Sequence, residues 1–242
     1  MKLKSQANAL VLSYLWWVLE PILYVALFYF VFKYVLYRGG EDFLMFLVLG
    51  KIPFLWFSKA VTSSAQSIVQ NKGLISQRVV PKIMFPLVNC QEAFYKQLVA
   101  FIVLIVFVLI NDYQDYSLWW QLIPLILLQY LLIIGVGSFF AVFVTFAQDF
   151  TMLISMFMMG LMFTSGIFWD VNLIQDPSLK EILMIANPLA SIIDGYRQVL
   201  MYGNPLNMTY MLSVLAWAAS SIVLSMYLLF VFDKALTRRL FV

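Results

Sequence analysis

The chain has 242 residues, of which 64% are hydrophobic and 11% are charged, whereas an ordinary soluble domain has about 45–50% and about 25%. Its apolar residues form long uninterrupted runs, so the composition excludes a water-soluble fold and predicts an all-α membrane protein. A net charge of +3, no histidine and a single cysteine argue against nucleic-acid binding, an internal disulfide, a metal site and most enzymes. We therefore expect no catalytic residue and no metal ligand.

The N-terminal segment, residues 1–19, is basic and then apolar, and it carries Trp16 and Trp17 near its end. This order of residues predicts an interfacial helix that lies on the cytoplasmic surface of the membrane. Glu20-Pro21 marks the corner where the chain turns into the bilayer, since proline suits the first turn of a helix. A frayed basic tail is the alternative.

Six segments are long and apolar enough to cross the bilayer, because about 20 helical residues span its roughly 30 Å hydrocarbon core. The predicted spans are residues 20–37, 43–64, 87–110, 119–146, 150–169 and 207–232. The second is interrupted by Lys51, Pro53 and Lys59, whereas the last three contain no Asp, Glu, Lys or Arg. The third must include Glu92 and Lys96, whose spacing predicts a pair on one helix face.

The lysines and arginines outside the spans predict the orientation, because cytoplasmic loops carry an excess of them. With six spans, both termini and the loops after spans two and four lie on the same side. That side has eight basic residues: Lys2, Lys4, Lys72, Arg78, Lys82, Lys234, Arg238 and Arg239. The other side has three: Arg38, Lys180 and Arg197. We therefore predict one transmembrane domain, residues 1–242, with both termini in the cytoplasm.

The cytoplasmic loop between spans two and three, residues 65–86, is longer than two neighbouring spans need. It mixes apolar and basic residues and ends in two prolines, Pro81 and Pro86. This pattern predicts a short amphipathic helix below the membrane. That helix could rest on the lipid surface or insert into a groove of a cytoplasmic partner.

The external region before span six, residues 170–206, has two short apolar-periodic stretches separated by Asn187-Pro188. Each is too short to cross the bilayer, and Asn-Pro is a strong helix break. We expect two re-entrant half-helices that dip into the outer leaflet or cap it. Asp194 and Arg197 lie three residues apart on the second stretch, which predicts a surface ion pair.

Four stretches of the sequence, taken in order, resemble one known family. They are YLWWVLEP (residues 14–21), NKGLISQRVVPKIMFP (71–86), FTSGIFW (163–169) and NPLASIIDGYRQVL (187–200). Together with the six spans they cover nearly the whole chain, which resembles the permease subunits of type-2 bacterial ABC exporters for O-antigen, teichoic acid or capsular polysaccharide. In those relatives an aromatic residue more often precedes the first loop proline and leucine the second, where this chain has Val80 and Phe85.

The resemblance implies a homodimer of this chain in the bacterial inner membrane, with two copies of a separate ATP-binding subunit on the cytoplasmic face. The loop after span two would be the coupling helix that docks on that subunit, through Asn71, Leu74, Ile75, Arg78, Val79, Pro81 and Lys82. ATP and Mg would be bound by the partner and no cofactor by this chain. Consistent with that division, the sequence has no G-x-x-x-x-G-K-[ST] phosphate loop.

The cargo implied by the resemblance is a polysaccharide still attached to a lipid such as undecaprenyl diphosphate. Sugar rings stack on aromatic faces, and 17% of the chain is Phe, Trp or Tyr. The candidate residues of the substrate path are Trp16, Trp17, Tyr24, Phe28, Phe32, Phe157 and Phe163. For each of them, packing between helices or contact with lipid is the alternative.

Three other functions stay open at this level. The cargo could be another glycan or a small lipophilic compound, since export permeases for these share the architecture. An intramembrane lipid or glycan transferase would need convergent ionisable groups, and the spans supply only Lys33, Lys51, Lys59, Glu92 and Lys96. A passive scaffold would explain the helices but not the long cytoplasmic loop.

Overall fold

The computed structural model describes residues 19, 22–23, 26–27, 29–35, 42–77, 80–111 and 116–241. Within these residues all regular secondary structure is helical, which confirms the all-α fold class. The predicted interfacial helix lies outside them except for its last residue. Of the first predicted span, the described residues include a π-helical turn, Val31–Val35.

From residue 42 onwards, the described chain forms nine α-helices. These are α1 (Phe43–Gln70), α2 (Lys72–Gln77), α3 (Met84–Ile110), α4 (Leu122–Phe146), α5 (Phe150–Thr164), α6 (Pro177–Ala186), α7 (Pro188–Leu200), α8 (Met208–Val231) and α9 (Asp233–Leu240). Four stretches of the described chain are long and apolar enough to cross a membrane: Phe43–Gln77, Met84–Ile110, Trp119–Phe146 and Met208–Val231. They overlap predicted spans two, three, four and six, and they make this a multi-pass membrane protein.

Helix α1, the second predicted span, lies at the centre of the molecule and packs against α3, α4 and α7. Of its most apolar window 78% is buried, against 22–50% in the other three candidate spans. Two of the residues that interrupt its hydropathy face protein. Lys51 Nζ lies 3.0 Å from Met162 Sδ of α5, and Pro53 O accepts a 2.8 Å hydrogen bond from Gln129 Nε2 of α4. The interruption therefore marks an interior helix, not a missing one.

The predicted cytoplasmic loop is shorter in the structure than residues 65–86. Helix α1 continues to Gln70 because its polar last turns still pack against protein: Ser67 and Ile68 are fully buried. Helix α3 begins at Met84 and takes Pro86 into its first turn, where the missing N–H of proline costs nothing. The hydropathy of the sequence falls at these turns although the helices persist.

The fifth predicted span, residues 150–169, is not one continuous helix. Helix α5 ends at Thr164, because Gly166 adopts a left-handed backbone with φ of 70° and residues 165–169 turn back. Fifteen residues make a helix of about 22 Å, shorter than the roughly 30 Å hydrocarbon core. Glycine inside an apolar run is thus a helix end here.

The external region has one short helix on each side of Asn187-Pro188. The side chain of Asn187 caps α7 by accepting hydrogen bonds from the backbone nitrogens of Leu189 (3.1 Å) and Ala190 (3.3 Å). Helix α7 is buried over nearly its whole length and packs against α1, α4 and α8, whereas α6 exposes most of its residues. Helix α7 therefore belongs to the core of the bundle.

Helix α4 approaches two neighbours closely at glycine positions. A Cβ atom at Gly135 would lie 2.9 Å from the backbone nitrogen of Ile222 in α8, and one at Gly137 would lie 2.9 Å from Ser64 Cβ in α1. Both distances are too short for a real Cβ contact. The absence of side chains at these two positions therefore allows the helices to pack at this separation.

Candidate functional site

Arg197 of α7 is the polar centre of the end of the bundle that is predicted to face outward. It is 2% exposed, and its guanidinium donates hydrogen bonds to three backbone carbonyls. The acceptors are Phe46 O (3.1 Å from Nη2), Gly166 O (2.7 Å from Nη1) and Ile167 O (3.1 Å from Nη2). The guanidinium carbon also lies 3.3 Å from the ring centroid of Phe46. Arg197 thus joins α7 to the first turn of α1 and to the turn after α5.

The predicted surface ion pair between Asp194 and Arg197 is wrong, because Arg197 is buried and points at carbonyls. Asp194 instead accepts hydrogen bonds from Gln198 Nε2 (3.2 Å) and Asn172 Nδ2 (3.5 Å). Burial lowers the pKa of Arg197 to about 10, so that it stays cationic at neutral pH. Burial raises the pKa of Asp194 above its ordinary value, and the two hydrogen bonds oppose that shift.

The same side holds two further contacts between helices. Tyr196 donates a 3.0 Å hydrogen bond to Gln129 Oε1 of α4, so Gln129 connects α7 with Pro53 of α1. Asn187 Nδ2 lies 3.0 Å from Ser165 Oγ, beside the turn after α5. The stretches FTSGIFW and NPLASIIDGYRQVL, which are far apart in sequence, therefore form one contact surface.

Two of the candidate path residues lie in a common aromatic cluster. The rings of Phe32 and Phe168 stack at 5.5 Å and 4°, Phe163 lies 5.6 Å from Phe168, and Phe43 lies 5.5 Å from Phe32. Lys51 Nζ lies 6.0 Å from the Phe168 ring centroid. Sequence reasoning missed Phe168, although its place in FTSGIFW is a usable signal.

The other candidate path residues are not part of that cluster. Phe157 packs against Phe140, with ring centroids 6.2 Å apart. Both line an apolar cavity of about 510 Å³ that lies between α4, α5, α8 and the junction of α6 with α7. Trp16, Trp17, Tyr24 and Phe28 lie outside the described residues.

The predicted coupling residues lie at the end of the bundle that holds α2 and α9. Helix α2 follows α1 at Asn71, whose Nδ2 donates a 2.7 Å hydrogen bond to Ser67 O. Leu74 is 48% exposed, while Ile75 is half-buried against the apolar cluster that contains Ile68, Phe85 and Leu236. The segment therefore presents one apolar side chain outward and one inward.

The second half of the loop holds the remaining coupling candidates. Pro81 is exposed, whereas Lys82 is buried and forms a 2.5 Å ion pair with Asp233 of α9. Arg78 and Val79 lie outside the described residues. Sequence reasoning missed Asp233, the only acidic residue in the basic segment after span six.

The structure brings few ionisable side chains together in the part of the chain that it describes. Among the residues it describes, no group of three or more His, Cys, Asp or Glu could hold a metal ion. Glu92 and Lys96 form the predicted pair at 2.7 Å within α3. These carboxylate and ammonium groups hold each other, and no second acidic side chain joins them in the described part of α3.

Comparison with known proteins identifies a family of membrane transporters. The family model described as ABC-2 type transporter matches residues 3–201. The O-antigen export system permease protein RfbA of Klebsiella pneumoniae is 30% identical over 233 residues, which are 96% of this chain and 88% of that protein. RfbA of Myxococcus xanthus is 24% identical and matches 91% of this chain and 87% of that protein.

A third relative has a different name but a similar match. The polysialic acid transport protein KpsM of Escherichia coli is 27% identical over 196 residues, 79% of this chain and 75% of that protein. Membership of such a family implies a partner ATP-binding subunit. By the match over most of its length, the chain belongs to the ABC-2 type transporter family of membrane permeases.

Proposed function

We propose that this chain is the membrane permease of an exporter that moves lipid-linked polysaccharide across the bacterial inner membrane, with O-antigen-like glycan as cargo. The observation that carries the proposal is the family match, joined to relatives named as O-antigen export permeases and a polysialic acid transporter. Two copies of this chain and two copies of a separate ATP-binding subunit form the exporter. ATP and Mg are bound by that subunit.

The proposed topology has six spans, with both termini in the cytoplasm. Residues 20–37 form the first span, and α5 with the turn that follows it forms the fifth. Helices α6 and α7 are re-entrant from the outer face. The burial of α7 among α1, α4 and α8 supports this arrangement, because a helix buried among spans lies at membrane depth without crossing.

The proposed coupling element is α2 with the residues that follow it. An exposed leucine on a six-residue helix below the bundle suits insertion into an apolar groove of the ATP-binding subunit. Leu74 makes the direct contact in this scheme, together with Arg78 and Val79. Asn71, Ile75 and Pro81 set the position of the helix.

The proposed cargo path runs along the aromatic cluster of Phe32, Phe43, Phe163 and Phe168. Flat aromatic faces bind successive sugar rings without demanding one sugar type. Trp16 and Trp17 would receive the cargo from the cytoplasm, with Tyr24 and Phe28 on the way and Phe157 at the margin.

A deletion strain tests the cargo. Loss of the gene should leave lipid-linked glycan on the cytoplasmic side and remove it from the cell surface, and the wild-type gene should restore it. Unchanged surface glycan, with a small lipophilic compound retained inside, would favour the other kind of exporter. Product formation by the purified chain without any ATPase would favour a transferase.

A Leu74→Glu variant tests the coupling element. A charge in an apolar groove is costly, so recovery of the permease with a tagged ATP-binding subunit should fall at least about tenfold. Leu173→Glu is the matched control, since Leu173 is 78% exposed in the external region. Equal recovery of the two variants would contradict the assignment.

A further inference from the structure

Helix α9 has an apolar face that shares one apolar cluster with the coupling segment, which is residues 71–82. Leu236 and Leu240 are buried and belong to the same apolar cluster as Ile68 of α1 and Phe85 of α3. Half-buried Ile75 of α2 packs against that cluster. The last helix of the described chain is therefore packed together with the loop between the second and third predicted spans.

Three polar contacts fix α9 along its length. Near its start, Asp233 pairs with Lys82 at 2.5 Å. Near its end, Arg239 Nε donates a 2.9 Å hydrogen bond to Phe146 O, the last residue of α4. Beyond it, the ring of Phe241 lies 5.2 Å from Lys72 Nζ at the start of α2. The first and third of these contacts involve Lys82 and Lys72, which lie near the two ends of the coupling segment.

The position of Lys82 decides how it can act. Its side chain is 5% exposed, whereas that of Asp233 is 55% exposed. A lysine buried to this degree is tolerated when it is paired, and it has little surface left for a second protein. We therefore expect Lys82 to act on the coupling segment through Asp233, not by direct contact with the ATP-binding subunit.

Helix α2 needs support from outside itself. It has six residues and no buried residue, and helices this short are not stable alone. Its position relative to the bundle therefore depends on contacts with the rest of the chain. Ile75 packs against the apolar cluster, and Lys72 at the start of α2 lies near Phe241, the residue after α9. Lys82, five residues after the end of α2, pairs with Asp233.

We propose that α9 is a brace that holds α2 in the position from which it docks on the ATP-binding subunit, with Lys82 and Asp233 as positioning residues. This inference rests on the proposed function, because it presumes that α2 is the docking element. Through α9, movement of the coupling segment would also reach two spans. One is α8, which only Phe232 separates from α9, and the other is α4, which α9 contacts at Phe146.

The test uses full-length permease co-expressed with its tagged ATP-binding subunit. Lys82→Ala and Asp233→Ala should each lower recovery of the permease with the tag roughly tenfold at equal membrane abundance. The exchange Lys82→Asp with Asp233→Lys should restore recovery to within about twofold of wild type, because it restores the pair. Lys234→Ala, which removes an exposed charge from the same helix, should leave recovery unchanged.

A further variant separates positioning from folding. Asp233→Asn keeps the shape of the side chain and removes its charge. Without its partner, the variant permease should have the melting temperature of wild type in detergent. Its recovery with the tagged ATP-binding subunit should nevertheless be low. Normal recovery of Asp233→Asn, or an equal loss in Lys234→Ala, would overturn the brace. Failure of the wild-type chain to bind any ATP-binding subunit would overturn the proposed function instead.

Discussion

Arg197 places a full positive charge inside the helix bundle and satisfies it with backbone carbonyls. Its acceptors, Phe46, Gly166 and Ile167, lie about thirty or more residues away in sequence. Spacing along one helix predicts only neighbours three or four residues apart, so the sequence pointed to Asp194. The correct partners become visible only when α1 and the turn after α5 are placed in space.

Replacement of Arg197 should destabilise the permease strongly. Arg197→Met leaves three carbonyls without their charged donor, and we expect a loss of about 3 kcal/mol or more in the free energy of unfolding. The loss of stability is measured as a lower melting temperature of the detergent-solubilised permease, with size-exclusion chromatography as the readout of unfolding. Arg238→Met, at an exposed position of α9, is the matched control. Similar melting temperatures of the two variants would refute the role of Arg197.

Asp194 should make stability depend on pH. Because burial raises its pKa, the folded chain binds the carboxyl proton more tightly than the unfolded chain. Ionisation of Asp194 therefore costs stability as the pH rises from the ordinary carboxyl range through the raised pKa. Asp194→Asn keeps an acceptor oxygen and removes this cost, so it should melt higher than wild type at pH 7. The difference should shrink as the pH falls towards about 4.

The control for this effect is an exposed carboxylate in the same region. Asp176 caps α6, and exchange of aspartate for asparagine at a helix cap is nearly neutral. Asp176→Asn should therefore melt close to wild type at both pH values. A lower melting temperature of Asp194→Asn at pH 7 would mean that the fold favours the charged carboxylate.

At the scale of elements, hydropathy located the long helices but not all of their ends. Spans three, four and six match α3, α4 and α8 closely because their apolar runs end where the helices end. The errors lie at α1, whose last turns are polar but buried, and at α5, where Gly166 ends a helix inside an apolar run. Burial against neighbouring helices and a positive φ angle at a glycine are properties of the folded chain, and hydropathy measures neither.

The contact between α4 and α8 should depend on Gly135. Alanine there would place its Cβ atom 2.9 Å from the backbone nitrogen of Ile222, so the helices would have to separate, at a cost of about 1–3 kcal/mol. Gly160→Ala is the matched control, because a Cβ atom at Gly160 meets nothing within 4 Å. We expect a lower melting temperature for Gly135→Ala, and an unchanged or slightly higher one for Gly160→Ala. The reverse order would contradict the described packing.

At the scale of the whole molecule, charge and spacing are enough to predict a topology. The roles of single side chains depend on contacts that the sequence does not show. The orientation, which stays a prediction, follows from counting lysines and arginines, and that count needs no contacts. The role of Lys82 does not, since its partner Asp233 is 151 residues away. The aromatic candidates show the same limit: Phe32 and Phe163 share a cluster through Phe168, which their positions in sequence do not reveal.

The orientation itself can be tested with single cysteines. Cys90 is buried and is the only cysteine, so Cys90→Ala gives a background for labelling. In that background, Gln175→Cys lies at an exposed external position and Gln77→Cys at an exposed position of α2. A membrane-impermeant maleimide should label the first in intact spheroplasts and the second only after the membrane is opened. The charge rule predicts this order, because Lys72 and Lys82 flank Gln77 and favour a cytoplasmic position for its loop. Labelling of Gln77→Cys from outside would invert the topology and, with it, the face on which an ATP-binding subunit could dock.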